Sequence, residues 1–177
     1  MSKKQRPTIE TERLILRPYT LDDAPALQTL LSEWDVASAT ARTPHPYKKG
    51  MAEEHIKTIQ KDNNLEEGVN YAITHRKEGF LIGGISLNVR RKEDESMSLG
   101  YWIGKPYWNQ GYCTEAVRAI VKYGFNVFGL HRVYASHFGR NPASGRVLQK
   151  IGMKYEGTLR EAFQRWVSLR MWYAMGY

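Results

Sequence analysis

The sequence predicts a mixed α/β (α+β) fold. It reads as a central, mostly antiparallel twisted sheet of about six to seven strands, one parallel pair beside a ligand crevice, and about four helices. Three observations predict it. Short β-rich runs joined by turns fill residues 70–103, which is the pattern of an antiparallel meander. From residue 96 onward the order becomes strand, helix, strand, helix, strand, which implies a locally parallel pair with its crevice at the strand C-termini. Helical apolar spacing recurs four times, and the last three helices are ended by Asn or Gly.

The elements follow in order. Residues 1–8 read as a flexible tail, and residues 9–177 as one domain. Residues 13–18 form a strand ended by Pro18. Thr20 opens a helix with an acidic first turn, Asp22 and Asp23, and Leu27, Leu30, Leu31 and Trp34 follow at helical spacing. Residues 38–49, with Pro44 and Pro46, read as a loop. A second helix covers about residues 52–61, with Ile56 and Ile59 on one face and Asn63-Asn64 at its end. Residues 70–75 and 80–88 are strands separated by Gly79. Gly83-Gly84 marks a bulge or a close backbone approach. Residues 90–95 form a charged hairpin loop, and residues 96–103 the next strand.

The chain is organised around residues 100–116, G-Y-W-I-G-K-P-Y-W-N-Q-G-Y-C-T-E-A. A strand turns through Gly104-Lys105-Pro106, passes the compact run Trp108-Asn109-Gln110-Gly111-Tyr112-Cys113 and then enters a long amphipathic helix. Free N–H groups and the helix dipole at such a turn favour an anion. In the helix, Val117, Ile120, Val121, Gly124 and Phe128 share one face, and Gly129 ends it. Residues 132–138 are a strand. Asn141 caps the next helix and Pro142 occupies its first position. Val147, Leu148 and Ile151 form its buried face, and Gly152 stops it. Two strands, about residues 154–161 and 167–173, finish the chain.

Composition narrows the classes. Of 177 residues, 42% are apolar and 12% aromatic, enough for a packed core rather than a disordered chain. The charged N-terminus is followed by no apolar run, so neither a signal peptide nor a membrane span is expected. The one cysteine, Cys113, excludes an intramolecular disulfide and fits a reducing cytoplasm. The five histidines are scattered, and no metal site is expected. The net charge of +8 is uneven. Residues 1–100 hold 15 basic and 15 acidic side chains, whereas residues 101–177 hold 11 and 3. The whole excess follows the anion-type turn, which suits a polyphosphate ligand or a nucleic acid as well as a plain solvated face.

Four collinear pieces carry a family resemblance: T-E-R-L-I-L-R-P at 11–18, I-G-G-I-S-L at 82–87, the stretch 100–116, and N-P-A-S-G-R-V-L-Q-K-I-G-M-K-Y-E-G-T-L-R-E at 141–161. Together they resemble the GNAT superfamily of N-acetyltransferases, and within it the group related to the ribosomal-protein N-terminal (Rim-type) enzymes. The resemblance runs from about residue 9 to residue 173. It implies a mixed α/β GNAT-like fold, acetyl-CoA as donor and co-substrate, and a primary amine as acceptor. A homodimer is common in the resembled group.

The resemblance also assigns residues. The pyrophosphate loop is Trp108, Asn109, Gln110, Gly111, Tyr112, Cys113 and Thr114, with Trp108 standing where the family has Gln or Arg. Gly111 matters most there, because a side chain would block the close approach. Tyr101, Trp102 and Ile103 lie on the strand whose backbone faces the pantetheine and thioester, although packing also explains Trp102. Asn141 contacts the pantetheine region in addition to its capping role. Ser144 is the candidate general acid that reprotonates the CoA thiolate, since the tyrosine position used more widely in the family is Leu148 here. Phe163 stands where related enzymes carry a glutamate, and Glu161, two residues earlier, is the candidate base on the same strand face. Cys113 reads as a small spacer rather than a nucleophile. Arg42, His45 and Arg165 are candidates for the acceptor pocket, each taken alone better explained as a solvated loop residue.

The expected function is therefore direct acetyl transfer in a ternary complex to a protein N-terminal α-amine. The alternatives are a small-molecule amine such as a polyamine or aminoglycoside, and a non-catalytic CoA-binding or ribosome/RNA-associated module. No RNA-binding motif is present, so direct nucleic-acid binding is not expected.

Overall fold

The structure is a computed structural model. It describes residues 7–61, 68–91, 95–165 and 168–176; the side chains at 90–91 and 163–171 lie outside the described residues. Among the described residues the chain forms one sheet of eight strands in the order β1-β2-β3-β4-β5-β6-β8-β7. These are β1 (Ile9–Glu10), β2 (Leu14–Arg17), β3 (Gly68–His75), β4 (Leu81–Arg91), β5 (Ser96–Ile103), β6 (Arg132–Phe138), β7 (Lys154–Arg165) and β8 (Ser168–Gly176). All neighbours are antiparallel except β5 and β6, which are parallel. The α-helices are α1 (Ala24–Ser32), α2 (Trp34–Ala39), α3 (Met51–Lys61), α4 (Tyr112–Phe128) and α5 (Pro142–Lys150). None is long and apolar enough to cross a membrane.

The meander and the parallel pair stand where the sequence places them. The extra strand is the two-residue β1. The extra helix arises at Glu33, whose extended backbone (ψ 123°) separates α2 from α1. Ser38 and Ala39 thus finish a helix rather than begin a loop. Asn63-Asn64, part of the hairpin loop and residues 1–6 of the expected tail lie outside the described residues. Beyond them, the Tyr71 hydroxyl donates to the Pro7 carbonyl at 2.8 Å.

Strand alternation divides the core between the two faces of the sheet. On β3, Tyr71 and Ile73 join the cluster containing Val117, Ile120 and Leu148 of α4 and α5, while Ala72 joins the cluster beneath α1 and α3. The bulge expected near Gly83-Gly84 falls at Ile82: Ile73 faces Gly83 and Thr74 faces Leu81, leaving Ile82 as the extra residue. The close approach is also present. A Cβ on Gly83 would lie 2.2 Å from the Trp102 carbonyl oxygen, and one on Gly84 would lie 2.1 Å from the Tyr19 hydroxyl oxygen.

Candidate active site

The site begins with strand divergence. β5 and β6 pair from Ser96↔Arg132 to Leu99↔Ala135 and no further. Beyond that point residues 100–103 pair with β4, and residues 136–138 pair with β8. A crevice of about 1600 Å³ opens between them. Its walls include the ends of β5 and β6, the first turns of α4 and α5, and part of the sheet face opposite α4.

At one end the chain leaves β5 through a short 3₁₀ turn, Lys105–Tyr107, and then takes two left-handed residues, Asn109 (φ +61°) and Gly111 (φ +83°). α4 starts at the next residue and runs for 17 residues. Its first-turn N–H groups have no intrahelical partners and carry the positive end of the helix dipole. Beta-carbon-free backbone at Gly111 allows a phosphate to approach; a Cβ there would already lie 3.3 Å from Arg13 Nη2. The residues present therefore fit a pyrophosphate group.

The loop is tied down from outside the motif. The Glu115 carboxylate, in the first turn of α4, accepts from Thr11 Oγ1 at 2.7 Å, the Arg13 backbone N–H at 2.9 Å and Arg13 Nε at 2.8 Å. Arg13 also donates to the Gln110 carbonyl at 2.9 Å, and its guanidinium stands 4.6 Å from the Tyr112 ring centroid. Burial alone would raise the Glu115 carboxyl, but these donors outweigh it and hold it below the ordinary carboxylate value. Sequence reasoning assigned no role to Arg13 or Glu115. The signal was T-E-R-L-I-L-R-P itself, whose first arginine, Arg13, reaches the loop that precedes α4. Trp108 keeps a tethering function despite replacing Gln or Arg: its indole N–H donates to the Ile103 carbonyl at 2.7 Å.

The opposite wall is α5. The Asn141 side chain caps it by accepting from the Ser144 N–H at 3.2 Å. Ser144 Oγ lies 2.7 Å from the Tyr101 hydroxyl oxygen, and that hydroxyl also reaches the Ser144 carbonyl at 3.1 Å. Burial pushes the Tyr101 phenol above its ordinary value, so it stays protonated. Burial likewise pushes the Cys113 thiol up to about 12, which suits a spacer and not a nucleophile.

The crevice brings together Tyr101, Trp102, Ile103, Trp108, Asn109, Gly111, Tyr112, Cys113, Thr114, Asn141 and Ser144. It does not bring in Gln110, whose side chain donates to the Pro106 carbonyl at 3.0 Å. Nor does it bring in Glu161. That residue is exposed, has φ +52°, and sits in an irregular stretch of β7 where three residues between Leu159 and Phe163 face one between Trp172 and Arg170. The irregularity breaks the alternation that would put Glu161 and position 163 on one face. The side chain of Phe163 lies outside the described residues, as does that of Arg165. Arg42 lines the crevice, whereas His45 packs edge-on to Trp34. Among the described residues, no group of three or more His, Cys, Asp or Glu side chains could hold a metal ion.

A sheet opened at a parallel pair, beside a glycine-bearing helix N-terminus, is suited to a ligand with a phosphate group. A family model described as an acetyltransferase (GNAT) domain matches residues 13–154. The chain is 34% identical over 158 residues to YoaA of Bacillus subtilis (strain 168), an uncharacterised N-acetyltransferase, covering 88% of this chain and 87% of that one. It is 31% identical over 166 residues to the ribosomal protein uS5-alanine N-acetyltransferase of Escherichia coli (strain K12), covering 86% and 81%. The crystal structure of a GNAT-family acetyltransferase from Bacillus anthracis superimposes with a TM-score of 0.84 at 25% identity, covering 97% and 98%. The chain belongs to the GNAT family and is an acetyl-CoA-dependent N-acetyltransferase.

Proposed function

We propose that the acceptor is the N-terminal α-amine of a protein, of the ribosomal-protein kind, acetylated by direct attack on acetyl-CoA in a ternary complex. One observation carries this choice. No Asp or Glu is among the described residues lining the crevice, whose formally charged members are Arg42, Arg146 and Lys150. A polyamine or aminoglycoside brings several positive charges and needs carboxylates to offset their desolvation. An α-amine has a pKa near 8, so roughly a tenth is neutral at pH 7, whereas a lysine amine near 10.4 is almost wholly charged. The α-amine therefore needs the least help from a base, and this reading assigns none to Glu161.

In this reading the first turn of α4 holds the pyrophosphate, and backbone N–H groups of β5 polarise the thioester carbonyl. The amine nitrogen forms the new bond to the carbonyl carbon as the carbon–sulfur bond breaks. Ser144 passes its proton to the leaving thiolate and regains one from the attacking nitrogen, directly or through a water, so that the proton lost by the amine is the one gained by sulfur. Positioning of two substrates supplies most of the rate, since no covalent enzyme intermediate is invoked. A cytoplasmic setting accompanies this reading, as acetyl-CoA and nascent protein N-termini meet there.

The test is an acetyl-CoA turnover screen against N-terminal peptides, spermidine and an aminoglycoside. The expected result is turnover of peptides with free α-amines and loss of turnover when the α-amine is blocked. Preferential turnover of spermidine or the aminoglycoside would overturn the proposal.

A further inference from the structure

Beside the opening, the sheet face opposite α4 carries an uncharged polar floor. Cross-strand register sets Asn70, Ser86 and Gly100 in one row across β3, β4 and β5. Asn88 and Ser98 pair directly in a second row. Strand alternation turns these residues away from Tyr71, Ile85, Leu87 and Leu99, which are buried against α4 and α5. All five line the same crevice as Ser144 and Gly111. Asn88 Nδ2 donates to Ser86 Oγ at 2.9 Å, and Ser98 Oγ donates to the Asn88 carbonyl at 3.3 Å.

A strand face that packs against protein carries β-branched and aromatic side chains. This one carries amides, hydroxyls and glycine, and it is half-buried. It abuts Gly100, the residue at which β5 leaves β6. A group emerging between the two strands therefore meets this floor first. From Ser86 to Asn88, β4 advances two residues, or about 7 Å, which matches about two residues of extended peptide. The amide groups both donate and accept, so they can pair with the N–H and C=O groups of such a chain.

Resting on the N-terminal acceptor reading, we propose that Asn70, Ser86 and Asn88 are the specificity-determining floor for an extended peptide N-terminus. The segment it takes carries small, uncharged polar side chains after the reactive amine. The floor holds the chain while Gly100 leaves room for the amine at the thioester.

The test is two-substrate kinetics with acetyl-CoA and a Ser-Thr-Ser-Asn-type peptide. Asn70→Ala and Asn88→Ala should each raise the peptide KM about tenfold, with the acetyl-CoA KM and the acetyl-CoA-induced rise in Tm unchanged. Asn88→Asp should raise kcat/KM for spermidine and lower it for a peptide with acidic second and third residues, a change that misfolding cannot produce. Unchanged peptide KM in both Ala variants, with an active parent, would overturn the floor while leaving the acceptor class standing. A parent enzyme that acetylates no peptide would overturn both.

Discussion

The hydroxyl oxygens of Tyr101 and Ser144 stand 2.7 Å apart, one from β5 and one from α5, joining the two walls of the crevice. A serine hydroxyl alone is a weak acid. Held in place by the Tyr101 hydroxyl, it can hand its proton to a thiolate while recovering the one that the attacking amine loses. Ser144→Ala should therefore lower kcat about 10²-fold with little change in acetyl-CoA KM, the size of effect general acid catalysis supplies. Tyr101→Phe should lower kcat less, about tenfold, and the double variant should be no worse than Ser144→Ala, because coupled groups are not additive. Equal activity of Ser144→Ala and the parent would remove Ser144 from the role.

That pair also marks the limit of what could be read in the chain. The ends of β5, β6, α4 and α5 were legible because Gly104, Gly129, Asn141 and Pro142 punctuate them, each for a local backbone reason. Ser144 was legible through the N-x-x-S pattern at 141–144 that resembles the Rim-type enzymes. Its partner was not, since a contact spanning 43 positions leaves no local signature. The break at Glu33 was hidden because Leu27, Leu30, Leu31 and Trp34 keep helical spacing across it, with no Gly or Pro to mark it. The irregular stretch of β7 was hidden for the same reason. Glu161 takes a positive φ without being glycine, so period-two reasoning from position 163 failed to place it.

Gly111→Val should abolish the rise in Tm that acetyl-CoA produces in the parent protein. A β-branched residue at φ +83° is strained, and its Cβ would crowd both Arg13 and the phosphate position. With ligand at about 100 times Kd, the parent gains about 2.7 kcal/mol by mass action, a shift readily seen by thermal melting. Gly111→Ala, with a smaller side chain, should keep part of it. An undiminished shift in Gly111→Val would exclude this loop as the phosphate cradle.

Glu115→Gln should raise the acetyl-CoA KM several-fold and leave the acceptor KM unchanged. The carboxylate gathers Thr11 and Arg13 at the base of the loop proposed to hold the phosphate, and an amide cannot accept all three hydrogen bonds. The group is partly exposed, so the stability loss should be small, about 1 kcal/mol. An unchanged acetyl-CoA KM would make the cluster purely architectural.

The Cys113 thiol should resist iodoacetamide at pH 8. Pushed up to about 12 by burial, it is almost wholly protonated there, and the thiolate is the reactive form. Alkylation of the native enzyme should be slower than that of the unfolded chain by at least tenfold. Equal rates in the two states would show a thiolate and reopen a nucleophilic role.

Asp23 gives the fold a specific acid sensitivity. Burial by itself would raise its carboxyl, but hydrogen bonds from the Arg17 guanidinium, at 2.7 and 2.8 Å, and from the Thr20 N–H, at 2.9 Å, outweigh it and hold it below the ordinary value. The folded state thus binds its proton less readily than the unfolded chain does. Its contribution is fully present above the unfolded value, near 3.9, and is lost as pH falls through the lower folded value. Asp23→Asn leaves the guanidinium without its anion, at a cost of about 2–3 kcal/mol near neutral pH. For a chain of this size that is a fall in Tm of roughly 5–10 °C. The gap between parent and variant should be constant from pH 7 to 5 and should close as the pH is lowered below about 4. Melting curves of both proteins across that range test this, and the variant comparison cancels the Glu115 carboxyl, which titrates in the same direction in each. A gap that stays constant down to pH 3 would mean that the Asp23 charge contributes nothing, and that the loss comes from altered packing at the start of α1.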